Sequence, residues 1–384
     1  MRKNYDVVII GGGIHGLALA YYLARDASQR IALFEKSYLG SGASGRNGEM
    51  IRSAFGSRQW IGLWDKSLQL WENLAAELGF NVMFTRHGYL ILATNHEEFE
   101  SLKQNWKTQQ EFGLATTILD AEDVLRLIPP INPAKVAGGL LQTNAGFARH
   151  DAAIWGYARA ARRLNVDIFP FTEATGIVVE SGRVCAVKTP RGDVATPMVV
   201  NAAGAHDQKI AQMAGLELPT QAHRVELMVT EPIKPFLGKA VSAPGMRCYM
   251  HQSARGEFIG GAEKDDFVPS TSMKNSLATT CAIASKYVRL FPRLAGVRMM
   301  RQWTGLTSQT ADHGPIIGPV PNIEGLILSV GWAGYGFMGG PGGGKALSEY
   351  IISGRVPPEI RPFNLERFKT GELIHEPAII RKEH

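Results

Sequence analysis

The stretch Tyr5-Asp6-Val7-Val8-Ile9-Ile10-Gly11-Gly12-Gly13-Ile14-His15-Gly16-Leu17-Ala18-Leu19-Ala20-Tyr21-Tyr22-Leu23 decides the fold. Tyr5–Ile10 is a short apolar, β-branched run, the pattern of a strand buried on both faces. Gly11 to Gly16 spell GxGxxG immediately after it, and Leu17–Leu23 reads as a buried helix. A second strand, Ile31–Phe34, ends in Glu35, nineteen residues after Gly16, with Lys36 beside it. Each part has a task in dinucleotide binding. Gly11 allows the tight turn, Gly13 admits the pyrophosphate to the backbone of Ile14 and His15, and Gly16 lets the helix pack closely on the strand. Glu35 accepts hydrogen bonds from ribose hydroxyls. The alternative is a glycine-rich strand–helix turn without a ligand.

Working outward, the fingerprint alone does not separate FAD from NAD. Five residues past Glu35 begins a second small-residue loop, Gly40-Ser41-Gly42-Ala43-Ser44-Gly45-Arg46-Asn47-Gly48. Its backbone donors, with Ser41, Ser44 and Asn47, suit the far side of a pyrophosphate, and Arg46 suits a phosphate or a flavin face. An exposed flexible loop is the other reading. Ile61, Trp64, Leu68, Trp71, Ala75 and Leu78 then recur at helical spacing. That stripe is read as core and given no function.

Glycine is the compositional outlier: 42 residues, about 11% of 384, against roughly 7% on average. The third cluster follows a buried strand, Leu326–Val330, and runs from Gly331 to Gly344 as a loop, with a helix expected over Lys345–Ile352. The N-terminal end of that helix would point at whatever the loop cradles, through Gly334, Tyr335, Gly336, Phe337 and Met338. Between the clusters, Tyr89–Leu92 reads as a strand, 97–112 as a polar helix, 144–151 as a loop, and 152–164 as a helix. Strands are expected over 166–170, 176–180, 183–189 and 194–201, the last running into Ala202-Ala203-Gly204, where backbone can again pass a cofactor. From about residue 220 to 301 the pattern becomes antiparallel. In this region Arg247, Tyr249 and His251 alternate, which places all three on one face of a strand.

The fold class is therefore α/β: a discontinuous Rossmann-like cofactor domain over 1–84, 140–218 and 308–384, and an α+β substrate domain over 85–139 and 219–307 with a mainly antiparallel sheet. The 41 basic and 35 acidic residues leave a net charge of +6, scattered without a stripe; this argues against nucleic acid and for a small anionic substrate or an acidic partner. Three distant cysteines exclude a disulfide framework and suit a cytoplasmic setting. No metal site is expected, since no HxH, HxxxH or CxxC spacing occurs. Residues 7–24 carry no Asp, Glu, Lys or Arg, but the glycines and His15 break the run, so neither export nor a transmembrane segment is expected.

Taken together, the fingerprint, the second loop, Asn201-Ala202-Ala203-Gly204 and the C-terminal glycines resemble the D-amino-acid oxidase family of FAD enzymes, in its sarcosine oxidase β-subunit and L-proline dehydrogenase β-subunit branch. Met50-Ile51-Arg52-Ser53, Arg301–Gly305, Asp312–Gly318 and Arg361–Phe368 carry the likeness along nearly the whole chain. The resemblance implies FAD and the oxidation of a secondary amine or amino acid. Hydride leaves the carbon next to nitrogen for flavin N5, and the imine hydrolyses. It implies that Arg52 pairs with the substrate carboxylate. The lysine that completes this clamp in sarcosine oxidases falls at Met338, and the arginine of glycine oxidase falls at Thr307. If Arg247, Tyr249 and His251 line the pocket, a second carboxylate is accommodated, favouring iminodiacetate over sarcosine or proline; an outward polar face is the alternative. His150 matches the histidine that carries FMN in heteromeric sarcosine oxidase, so FMN is one alternative and an ordinary loop histidine the other. The resemblance also implies two modes of action: catalysis by the chain itself, alone or beside other subunits, or a flavin-bearing relay subunit with chemistry in a partner.

Overall fold

The computed structural model describes residues 1–262 and 269–378. The strand Val7–Ile10 is fully buried and pairs in parallel with Ile31–Phe34 on one side and Val199–Asn201 on the other. It sits inside a six-stranded sheet ordered Ile316–Pro319, Leu326–Val330, Val199–Asn201, Val7–Ile10, Ile31–Phe34, Asp167–Phe169. All pairs are parallel except the edge pair Ile316–Pro319 with Leu326–Val330. Strands buried on both faces read as continuous apolar runs, as these do. An eight-stranded, mainly antiparallel sheet runs Met299–Gln309, Gln221–Thr230, Phe258–Ala262, Cys248–Gln252, Ala240–Ala243, Tyr89–Ala93, Gly138–Gln142, Thr116–Asp120. The chain is thus an α/β molecule with two distinct principal sheets.

Four local expectations are corrected. The run 194–201 is two strands, Val194–Ala195 and Val199–Asn201, in different sheets, because Pro197 between them lacks a ladder donor. The loop 144–151 contains a short strand, Gly146–Phe147, paired with Met50–Ile51. Arg247 is not in the strand with Tyr249 and His251. It precedes Cys248–Gln252 in a left-handed conformation, φ 48°, closing a short 3-10 turn, so period-two alternation does not extend to it.

The fourth correction is the largest. The helix after Val330 starts at Gly336, not Lys345, and runs to Ser353 with Pro341 inside it. The glycines are helix, placed there by close packing. A Cβ on Gly344 would stand 2.7 Å from the Ala18 Cβ, and one on Gly340 2.5 Å from an Ile14 side-chain carbon. Helix Ile14–Asp26 therefore packs backbone against backbone on Gly336–Ser353. Pro341 removes one hydrogen bond from the ladder. Next to it, Ser67 of helix Arg58–Leu78 inserts its hydroxyl. Ser67 Oγ donates to the Met338 carbonyl (2.6 Å) and accepts from Gly342 N (3.0 Å). Trp71 Nε1 donates to the same carbonyl (3.0 Å), and Trp64 Nε1 to the Tyr335 carbonyl (3.2 Å). The tryptophan stripe is core, and its indole N–H groups hold the start of the glycine helix.

Among the described residues, no helix is long and apolar enough to cross a membrane.

Candidate active site

A long cavity lies between the two sheets, and the N-terminal ends of two helices reach it. At the first, Gly11 adopts φ 121°, and a Cβ there would stand 2.3 Å from the Ala202 carbonyl oxygen, so only glycine fits. This brings the turn Gly11–Ile14 against the end of strand Val199–Asn201. Gly11, Gly13, Ile14 and His15 line the cavity, and Ser44 Oγ accepts from Ile14 N at 2.9 Å. At the second, Tyr335 provides no side-chain cap, and Gly334, Tyr335, Gly336, Phe337 and Met338 line the wall. Uncapped N–H groups at helix starts favour anionic or electron-rich ligand atoms.

Glu35 lines the cavity at the end of its strand. Its carboxylate accepts from Gly12 N (2.9 Å), Ser37 N (2.8 Å) and Ser41 Oγ (3.3 Å). The second loop completes this side. Arg46 Nε donates to the Ser41 carbonyl (2.9 Å), Asn47 Nδ2 donates to the Ser44 carbonyl (2.7 Å), and Gly48 lies under Tyr249. Arg46, Asn47, Gly48, Ser44 and Gly204 are in the lining; Gly16, Lys36, Ser41 and Ala203 are not. Lys36 turns outward, its Nζ 2.8 Å from His206 Nε2.

His15 is half-buried, with both ring nitrogens out of water, and stacks on Trp332 with ring centroids 3.9 Å apart. Neither ring nitrogen has a hydrogen-bond partner. Burial pushes its pKa down to about 3, with the Gly336 backbone pulling weakly the other way, so the ring is neutral at pH 7. An orphaned neutral imidazole beside two helix starts and a glycine turn fits a bound dinucleotide that brings its own donors and acceptors.

The opposite end of the cavity is aromatic. Arg52, 6% exposed, follows the short strand Met50–Ile51. Its guanidinium carbon lies 4.1 Å from the ring centre of Phe55, 5.5 Å from Tyr89 and 5.8 Å from Tyr335. Nη1 donates to the Ala54 carbonyl at 2.6 Å, and no carboxylate among the described residues pairs with it. Tyr249 joins this wall, whereas Arg247 and His251 do not line the cavity. His251 is buried and stacks on Phe147 at 4.1 Å, with Nε2 3.5 Å from Glu49 Oε2. The other Glu49 oxygen lies 2.9 Å from Nδ1 of His150, which is likewise outside the lining. Burial works to raise the Glu49 pKa, but the two imidazoles more than offset it and bring it to about 2.

Sequence reasoning missed several walls. Tyr89, Ser308 and Ala378 line the cavity, and their positions carry no motif. Ser308 Oγ donates to buried Asp207, which also accepts from Thr220 Oγ1 at 3.1 Å, tying the turn after Val199–Asn201 to the other sheet. Burial raises the Asp207 pKa.

A family model described as FAD dependent oxidoreductase (DAO) matches residues 6–350. The chain belongs to this family of FAD-dependent oxidoreductases. It is 36% identical over 380 residues to the sarcosine oxidase subunit beta of Rhodobacter capsulatus, covering 98% of this chain and 91% of that one. The L-proline dehydrogenase of P. horikoshii superposes with a TM-score of 0.92 at 27% identity, covering 97% of this chain and all of the other. The glycine oxidase of Geobacillus kaustophilus gives 0.88 at 25%, over 95% and 99%. The protein is an FAD-dependent oxidoreductase acting on amines or amino acids. Gly11, Gly13, Glu35, the second loop and the Gly336 helix start are the groups that would hold the FAD.

Proposed function

We propose that this FAD-dependent oxidoreductase oxidises a small secondary amino acid of the sarcosine, proline or iminodiacetate class, held by its carboxylate on Arg52. The observation that carries this reading is the guanidinium itself: buried, facing the cavity, with one backbone acceptor and no counter-ion among the described residues. An unpaired buried charge is costly, and a bidentate carboxylate is the ligand that offsets it. Tyr89, Tyr249 and Tyr335 wall the substrate body and exclude water, which strengthens the ion pair. FAD, held by the Gly11–Ile14 turn, the second loop and the Gly336 helix start, would supply the two-electron acceptor for oxidation of the amine to an imine, which water then hydrolyses. In this reading the six-stranded sheet carries the cofactor, the eight-stranded sheet supplies Tyr89 and Tyr249, and Arg52 comes from the loop after the short Met50–Ile51 strand.

The R. capsulatus relative is named as a subunit, which supports a second reading in which this chain works inside a larger assembly. Anaerobic addition of sarcosine, proline and iminodiacetate to the pure flavoprotein tests both. Bleaching of its own flavin places the chemistry in this chain; bleaching only after a partner is added favours the relay reading. Arg52→Gln lowers kcat/KM for the carboxylate substrates about 10- to 100-fold, the value of a charge-assisted hydrogen bond, and acts mainly through KM. An unchanged KM would overturn the assignment of Arg52.

A further inference from the structure

Residues 372–378 run as a strap from the tail to the Arg52 loop, and two ties hold it. Ile374 N donates to Asp312 Oδ2 at 3.0 Å, on the carboxylate that Arg367 also holds. Beyond it, Glu376 is fully buried. Its carboxylate accepts from Gly56 N (2.7 Å), Ser57 N (2.8 Å), Ser57 Oγ (2.6 Å) and, within the strap, Ala378 N (2.8 Å). Pro377 presses on Gly56, where a Cβ would stand 2.4 Å from the proline ring. The next side chain, Ala378, lines the cavity that holds Arg52, Tyr89 and Tyr249.

The loop that Glu376 grips carries the two groups that fix Arg52, the Ala54 carbonyl and the Phe55 ring. A carboxylate with four short N–H and O–H donors is an anchor that a neutral amide cannot reproduce, because the amide NH2 would face donors. The strap therefore meets the substrate end twice, at the cavity wall through Ala378 and behind Arg52 through Glu376.

We propose that this strap is the specificity wall of the substrate pocket. Ala378 sets how much bulk fits beside the carboxylate, and Glu376 is a positioning residue that holds Arg52 in register through residues 54–57. The proposal rests on Arg52 as the carboxylate site. Ala378 and Arg52 line the same cavity, so a larger side chain at 378 extends into space open to the substrate.

The test is steady-state kinetics on the FAD-loaded enzyme with sarcosine, proline and iminodiacetate, alongside the dissociation constant of propionate read from the flavin absorption band. Ala378→Phe is expected to lower kcat/KM for proline and iminodiacetate at least ten-fold relative to sarcosine. Glu376→Gln is expected to raise KM for every carboxylate substrate, and the propionate dissociation constant, about ten-fold, with kcat changed less than three-fold. Should Glu376→Gln fail to fold, Ala378→Phe still decides the wall. Unchanged size preference in Ala378→Phe, or a fall in kcat without a change in KM or propionate binding in Glu376→Gln, overturns the strap while the Arg52 reading stands. Failure of the wild-type enzyme to turn over any of the three amines or to bind propionate overturns the Arg52 reading beneath it.

Discussion

His15 illustrates what one residue contributes beyond its place in a motif. In the folded chain its pKa is about 3, against an ordinary value of 6.5, because the ring is out of water against Trp332. Below pH 6.5 the unfolded chain takes up a proton there and the folded chain does not. Stability therefore falls with pH by up to about 1.4 kcal/mol per unit until the folded ring titrates near 3. Glu49 acts in a lower window. Its carboxyl is depressed from 4.5 to about 2, so its contribution is complete above 4.5 and is lost as pH falls toward 2. Urea unfolding at pH 7 and pH 5 thus separates the two. His15→Phe keeps an aromatic ring on Trp332 and removes the titration. Wild type is expected to lose about 2 kcal/mol more than His15→Phe between these pH values. Equal losses would mean that the ring is protonated in the fold. The sequence marks His15 as a residue at the turn, but its neutrality depends on desolvation against Trp332, more than three hundred residues away, and holds despite the opposing pull of the Gly336 backbone.

Among the elements, the strands and helices with apolar periodicity were legible, and Ile31–Phe34 and Leu326–Val330 have the bounds the sequence pattern gives. The glycine helix was not legible. Glycine costs about 1 kcal/mol per helical position and proline about 3, so a run with both reads as loop. Tertiary structure overrides that preference: the absent side chains let Ile14–Asp26 lie directly on the helix, and Ser67 and Trp71 serve the Met338 carbonyl in the turn before the proline. Two glycine substitutions separate propensity from packing. Gly62, inside helix Arg58–Leu78, has nothing within 4 Å of a would-be Cβ, so Gly62→Ala is expected to stabilise by about 0.5–1 kcal/mol. At Gly344 the same change gains the same propensity but places a methyl 2.8 Å from the Leu19 nitrogen, on backbone that cannot give way. Overpacking of this kind costs about 1–3 kcal/mol, so Gly344→Ala is expected to lower Tm while Gly62→Ala raises it. A raised Tm in both would show that the two helices have room to part.

On the scale of the whole molecule, the site is assembled from segments the sequence holds far apart. Arg52 was accessible through the resemblance carried by Met50-Ile51-Arg52-Ser53, not through any local pattern of its own. The Glu376 tie to Gly56 was not, because nothing in either segment encodes the other. The tail reaches that position through one buried ion pair. Arg367 Nε lies 2.8 Å from Asp312 Oδ2, both side chains are 1% exposed, and the same carboxylate accepts from Ile374 N at the start of the strap. Burial alone would raise the Asp312 pKa, but the guanidinium and the backbone donors hold it below the usual carboxylate range. Removing the cation alone should be far worse than removing the pair. Arg367→Met leaves a buried carboxylate uncompensated and is expected to cost about 3–5 kcal/mol in urea unfolding at pH 7. Asp312→Leu in the same chain removes the stranded charge and is expected to recover most of that loss. The pH dependence gives an independent sign. In Arg367→Met the carboxyl loses the group that holds its pKa down, so acidification protonates it and narrows the gap to wild type. A gap that stays constant from pH 7 to pH 4, with no recovery in the double variant, would mean that Arg367 works through packing and that its charge is incidental to how the tail is tied.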